Sequence, residues 1–385
     1  MVPPFTSLPD AAAWYEAWLG EAALPLWAEA GVDPIRGVFQ EALSVEGRVH
    51  PAARRSRAQA RQVFVFASAV SAGYGDRYLP VARRGFQGLL RDYRRADGLF
   101  INSVAVDGSA LDSRVDIYEQ AFALLAMAAL QVADPTAGDL GGDLGGDLAG
   151  EAARTRTALD DRRVAGGGFR ESGAHPYQAN CHMHLFESAL AWEATGAPGW
   201  AGLSDELAGL ALRHFIDAET GALREFFDAD WRPLRGEGGL VEPGHQFEWA
   251  WLLERWGRAR GVEAARAAAR RLYRNGLKGV DATRQVAVNA LWEDFTIRDG
   301  DARLWPQTEH LKAALILGEA ADALSAAQGL ARYLDTPARG AWRDTLKIDG
   351  TFVAGPAPAT SFYHLIVAIL ELTAQGAPPA GGVTA

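Results

Sequence analysis

The stretch Glu242-Pro-Gly-His-Gln-Phe-Glu-Trp-Ala-Trp251 joins a helix entrance to a titratable pair. Its Pro-Gly dipeptide interrupts whatever precedes it, and from His245 onward the residues read as helix through Glu254. His245 and Glu248 are three apart and share one face of the first turn. Trp249, Trp251 and Leu252 are apolar neighbours able to keep water away. An imidazole beside a carboxylate at a helix mouth suits acid/base chemistry. A capped helix whose first-turn Glu only complements the dipole would carry the same residues.

Helical periodicity recurs on both sides of this stretch. Apolar spacing predicts helices at 10–30, 54–71, 77–95, 113–132, 151–163, 180–195 and 202–215, then at 246–260, 263–275, 307–321, 325–334 and 360–373. Short hairpins or turns are expected between them, one around Asp107-Gly108 and one within 220–231, with a loop or short strand near 285–292. Alternation of strand and helix is missing, so a parallel-sheet fold is not expected. An all-α chain with helices every 25 to 35 residues or so suggests paired helices in a closed toroid or a solenoid. No linker cuts the chain, so residues 1–385 are read as one domain. Gly-Asp-Leu recurs with Gly spacers over 138–150. Its four-residue period does not fit the nine-residue calcium repeats, and 136–150 reads as a flexible surface loop. The tail, 375–385, reads as loose.

Composition narrows the function. With a net charge of −10 and a pI near 5.4, the chain is a poor partner for nucleic acid or an anionic membrane. The lone Cys181 excludes an internal disulfide framework and points to a reducing, cytoplasmic compartment. Neither a signal peptide nor a membrane span is evident. Twelve Trp suit either a carbohydrate-handling protein or a large aromatic core.

Four further groups of residues carry chemistry. Arg57 and Arg61 share a helical face, and a fixed guanidinium can hold a sugar oxygen or an enediolate. In Asn180-Cys-His-Met-His-Leu-Phe-Glu187, the two His lie two apart, a poor chelate on a helix. Asn180, His184 and Glu187 instead form one polar stripe that needs partners or a ligand. Trp305, at the mouth of the helix that follows, could wall a sugar ring or simply pack in the core, with Glu309 four residues on. His310 and Lys312 are expected to face solvent. His364 falls in the first turns of the last helix, behind Thr360 or Ser361 as N-cap. Helix N-termini disfavour a cation, so His364, and by the same argument His245, is expected neutral.

Asn180-x-His-Met-His-x-x-Glu187, Glu242-Pro-Gly-His-x-Phe-Glu-Trp249, Trp305-Pro-Gln-Thr-Glu309 and Ser361-Phe-Tyr-His364 resemble, in order and spacing, the N-acylglucosamine 2-epimerase superfamily. The Trp-Pro-Gln-Thr-Glu form is closer to its mannose isomerase branch. The resemblance implies an (α/α)6 barrel with the site in its central funnel and catalysis without metal or cofactor. It places the catalytic histidines at His245 and His364. Substrate contacts fall at Arg61, Asn180, His184, Glu187, Glu248, Trp305 and Glu309, with Arg235 as a further sugar contact. The activity implied is interconversion of D-mannose and D-fructose through a cis-enediolate. The substrate partner is a free monosaccharide, and the protein a monomer or homodimer. Alternatives are a sugar 2-epimerase, a glycoside hydrolase or lyase using Glu248 and Glu309, and a non-catalytic sugar-binding barrel.

Overall fold

The computed structural model describes residues 4–134, 147–235 and 239–376. Its helices are α1 (Leu8–Trp18), α2 (Leu24–Glu29), α3 (Ser56–Ser71), α4 (Leu79–Tyr93), α5 (Ile117–Ala133), α6 (Leu148–Ala158), α7 (Ala179–Ala194), α8 (Trp200–Leu210), α9 (Pro243–Arg260), α10 (Glu263–Leu277), α11 (Trp305–Leu317), α12 (Ala320–Ala331) and α13 (Thr360–Gly376). A π-helical turn, Leu19–Ala23, joins α1 to α2. Pro25 lacks the N–H that would continue the ladder there, so the pair runs on as one interrupted helix.

Six helices pack in a closed circuit. α3 lies against α5, α5 against α7, α7 against α9, α9 against α11, α11 against α13, and α13 returns to α3. Each also carries a neighbour from the other set: α4 on α3, α6 on α5, α8 on α7, α10 on α9, α12 on α11, and α1 on α13. Residue patterns follow this division. Helix α9 buries residues on every side, from Pro243 to Gly257. Helix α10, by contrast, buries Ala265, Ala269, Leu272, Tyr273 and Gly276 along one stripe and turns its arginines outward. Most tryptophans fill this core, among them Trp18, Trp27, Trp192, Trp249 and Trp342.

Short antiparallel ladders sit just ahead of several inner helices. Arg54–Arg55 pairs with Ser103–Val104 before α3, Tyr177–Gln178 with Phe226–Phe227 before α7, and Ala302–Arg303 with Thr345–Leu346 before α11. Ala357–Pro358 pairs with Ala42–Leu43 before α13, which ties the last turn of the circuit to the first. The hairpin around Asp107-Gly108 forms, Ser103–Val104 against Ala110–Asp112.

Most of the expected Gly-Asp-Leu loop, 136–146, lies outside the described residues. The expectation fails at its end: Asp147 caps α6 by accepting from Gly150 N–H, so 148–150 are helix. Helix α13 runs to Gly376, and the expected loose tail beyond it lies outside the described residues. Among the described residues, no helix is long and apolar enough to cross a membrane.

Candidate active site

The inner helices open onto the candidate site at their N-terminal ends, and a repeated clamp holds the loops there. Near the start of α3, Gln59 Nε2 donates to Phe39 O while its Oε1 accepts from Phe39 N–H. Gln120 on α5 does the same with Phe100, Gln246 on α9 with Leu223, and Gln307 on α11 with Ala287. On α7 the place is taken by His182, whose Nε2 accepts from Phe169 N–H at 2.8 Å. Its Nδ1 faces Gln178 O at 2.7 Å, so the proton is on Nδ1. Gly168, at φ +77°, lies so close that a Cβ would stand 2.7 Å from His182 Nε2. His182 is therefore spent on the frame.

Within this frame is a cavity of about 480 Å³. His245, His364, Trp305, Glu248, Asn180, His184 and Arg61 line it, with Arg57, Tyr118 and Glu242. Gly244 explains the Pro-Gly pair. It is inside the helix, which begins at Pro243 and not at His245. A Cβ at Gly244 would come within 2.4 Å of the Trp305 ring. Glycine is there for close approach. Trp305 in turn packs against both imidazoles, its centroid 5.1 Å from His245 and 5.7 Å from His364.

Each imidazole presents Nδ1 to a buried carboxylate. His245 Nδ1 lies 2.9 Å from Glu225 Oε2 and 3.8 Å from Glu242 Oε2. His364 Nδ1 lies 2.8 Å from Glu309 Oε1. A carboxylate only accepts, so both rings carry their proton on Nδ1 and leave Nε2 for the cavity. Their proton affinities diverge. Burial would lower His245, but the negative charges of Glu225 and Glu242 outweigh it and push the ring up to about 10. Burial, with Arg61 and Lys312 nearby, holds His364 well below the ordinary histidine value. The helix-mouth expectation of a neutral ring thus agrees with His364 and fails for His245. Two carboxylates within 4 Å overcome a helix dipole, which is worth only about 0.3–1 kcal/mol.

The floor is polar and partly unpartnered. Arg61 donates to Thr360 O at 3.1 Å and to Tyr118 Oη at 2.8 Å, and its guanidinium lies 3.9 Å above the Phe122 ring. Both Glu248 oxygens and Asn180 Oδ1 are buried without a hydrogen-bond partner. Burial and then the charge on Glu309 push Glu248 well above the carboxylate range, so it is held as the neutral acid. His184 Nδ1 lies 3.5 Å from Glu187 Oε2, and burial lowers His184 to about 4. Tyr363 donates to Glu187 from the other side. Lys312 Nζ stands 2.6 Å from Glu309 Oε2. Donor atoms of His184, Glu187 and Glu248, and those of Glu248, Glu309 and His364, lie within 4.8 Å of one another. The positive charge beside them is the chain's own, from Lys312.

The structure brings together every expected site residue except Arg235, but Glu187 and Glu309, expected to contact substrate, are outside the cavity lining, Glu187 against His184 and Glu309 against His364. Arg235 is exposed and outside the cavity lining. It follows the ladder residues Phe226–Phe227 on a surface segment, where an arginine is simply solvated. His310 and Lys312, expected at the surface, are both buried. His310 stacks on Phe247 at 4.6 Å, away from the cavity. Two contributors were not foreseen. Glu225 lies twenty residues before His245, within the turn expected over 220–231, where nothing local marks it as a partner for a histidine. Lys312 had one: it follows Glu309 by three, the spacing of a helical ion pair.

Comparison with known proteins places these residues in context. Residues 37–368 match the family model described as N-acylglucosamine 2-epimerase (GlcNAc 2-epimerase). The chain is 44% identical over 373 residues, covering 92% of it and 95% of the relative, to a "Mannose-6-phosphate isomerase" of Rhizobium meliloti (strain 1021). It is 33% identical over 196 residues, 44% of each chain, to a "D-mannose isomerase" of Thermobifida fusca. Among solved structures it is similar to cellobiose 2-epimerase from Spirochaeta thermophila, with TM-score 0.84 and 22% identity over 96% of this chain and 97% of the other. A D-mannose isomerase structure gives TM-score 0.83 and 22% identity, over 94% and 97%. The chain belongs to the N-acylglucosamine 2-epimerase family and is an enzyme of the isomerase class.

Proposed function

We propose that the chain is an aldose–ketose isomerase that interconverts D-mannose and D-fructose, built as one catalytic domain on an (α/α)6 barrel. The observation that carries this reading is the pair of imidazoles that line one cavity beside Trp305, one held protonated and one held neutral. Protonated His245 opens the sugar ring and hydrogen-bonds the carbonyl oxygen at C1. Neutral His364 takes the proton from C2 through Nε2. The C2–H electron pair becomes the C1=C2 double bond of a cis-enediolate, and the charge moves onto O1. Arg61, which has no carboxylate partner among the described residues, supplies its guanidinium to that oxygen. His245 gives its proton to O1 and takes back the O2 proton as C2=O forms, while the C1=C2 electron pair collects at C1 the proton that His364 had removed, which completes the ketose. Proton transfer of this kind contributes roughly 10²–10⁴-fold. Return of the proton to the other face of C2, from His245, would give the epimer.

A phosphorylated hexose is the second reading, favoured by the name of the Rhizobium meliloti relative and by arginines on the cavity wall. Apart from Arg61, those arginines have carboxylate partners: Arg55 with Glu41, Arg57 with Glu119, Arg114 with Asp112, and Arg303 with Glu242. A phosphate would have to displace them, which favours the free sugar. The hydrolase reading is weaker. Glu309 is fully buried, with one oxygen on His364 and the other beside Lys312, so neither is free for a glycosidic bond.

Proton NMR of D-mannose and D-mannose 6-phosphate with the purified protein in D₂O tests all of this. Fructose formed from free mannose is expected. Glucose deuterated at C2 would make it an epimerase, and turnover confined to the phosphate ester would make the second reading correct.

A further inference from the structure

The reaction described above leaves one buried cation without a task. Lys312 is fully buried on α11, one turn beyond Glu309. Its Nζ lies 2.6 Å from Glu309 Oε2 and 4.1 Å above the Trp251 ring. Glu309 Oε1 meets His364 Nδ1 at 2.8 Å. Ammonium, carboxylate and imidazole therefore stand in line. His245 has no such arrangement: among the described residues, the ion-pair partner of Glu225 is His245 itself. Burying a lysine costs several kcal/mol unless it is paired. Simple packing does not call for one at this position.

We propose that Lys312 is a positioning residue for proton abstraction: its charge fixes Glu309 as the acceptor for His364 Nδ1–H and cancels the field by which Glu309 would otherwise protonate the ring. The two histidines then differ because one carboxylate is neutralised from behind and the other is not. The groups facing His364 are Glu309 and Lys312 from α11, Arg61 from α3, His184 and Glu187 from α7, and Glu248 from α9. With Lys312 removed, Arg61 alone opposes the charges of Glu309 and Glu187. The ring then gains proton affinity, and its tautomer is less firmly held. This inference rests on the reading of His364 as the base.

The test is the pH dependence of kcat/KM in Lys312→Met, Lys312→Arg, Glu309→Gln and the Glu309→Gln/Lys312→Met double variant, alongside C2 proton exchange by the unaltered protein. Lys312→Met is expected to lose roughly 10²-fold in kcat, with KM within about threefold, and to move the acidic limb up by about one pH unit. Lys312→Arg keeps a cation and should leave the limb in place. Adding Lys312→Met to Glu309→Gln should change kcat by less than about threefold, since the lysine acts through that carboxylate. The double variant removes the ammonium together with the carboxylate it pairs, so it decides the matter even where Lys312→Met fails to fold. An unmoved limb, or a full Lys312→Met penalty in the Glu309→Gln background, overturns the proposal. Absence of C2 exchange by the unaltered protein with any aldose overturns the base reading instead.

Discussion

His245 and His364 both stand against one indole, at similar distances, each with Nδ1 on a buried carboxylate. Their protons nevertheless go opposite ways. Around His245 the nearby charges are Glu225 and Glu242, and the ring stays protonated until pH rises through about 10. Around His364 the carboxylate is backed by Lys312, with Arg61 close by, and the ring stays neutral until pH falls well below 6.5. One residue type thus supplies an acid and a base, and the distinction lies in what stands behind each carboxylate. For the free enzyme this gives kcat/KM a broad plateau, with an alkaline limb near pH 10 and an acidic limb below the usual histidine range.

The contrast can be broken most severely at the rings themselves. His364→Asn should cost about 10³–10⁴-fold in kcat and abolish C2 proton exchange, while His245→Asn should cost about 10²–10³-fold and leave slow exchange detectable by NMR. Equal loss of exchange in both would mean the roles are not divided. Arg61→Ala removes the guanidinium from the enediolate oxygen, and a loss of about 10²-fold in kcat is expected in steady-state assays. Glu225→Gln sharpens the comparison. It removes a charge that raises His245, so the alkaline limb should move from near 10 toward neutrality, with activity below pH 7 retained within about tenfold. A limb that stays put would assign the raised affinity to Glu242. Arg235→Ala, outside the cavity, should change kcat/KM by less than about twofold.

Much of this site could be read from the chain. His245 with Glu248, Asn180 with His184 and Glu187, and Trp305 with Glu309 each lie on one helix, where the 3.6-residue period converts spacing into a shared face. The first two hold in the fold, whereas Glu309 turns from Trp305's cavity wall to His364 and Lys312. Partners brought by different helices were not legible. Glu225 reaches His245 only because the turn before α9 folds back, and Glu309 meets His364 across fifty-five positions. The misplacement of His310 and Lys312 has the same origin. On α11 nearly every residue is buried, so there is no solvent face for polar residues to mark. The pairing of helices was visible in their recurrence, whereas the circuit's closure depends on contacts between α13 and α3.

The loop clamp has a consequence for how the molecule fails in acid. Four of its members are uncharged amides, which bind the same way at any pH. The α7 member is an imidazole that must accept at Nε2, and burial holds its pKa down to about 4. The unfolded chain takes up that proton near 6.5, so stability on the order of 3 kcal/mol drains away as pH falls from 6.5 toward 4. Amide hydrogen exchange should accordingly show Phe169 losing protection before Phe39 or Phe100. A His182→Gln replacement should erase that order and make the weakest seam of the ring as acid-tolerant as the rest.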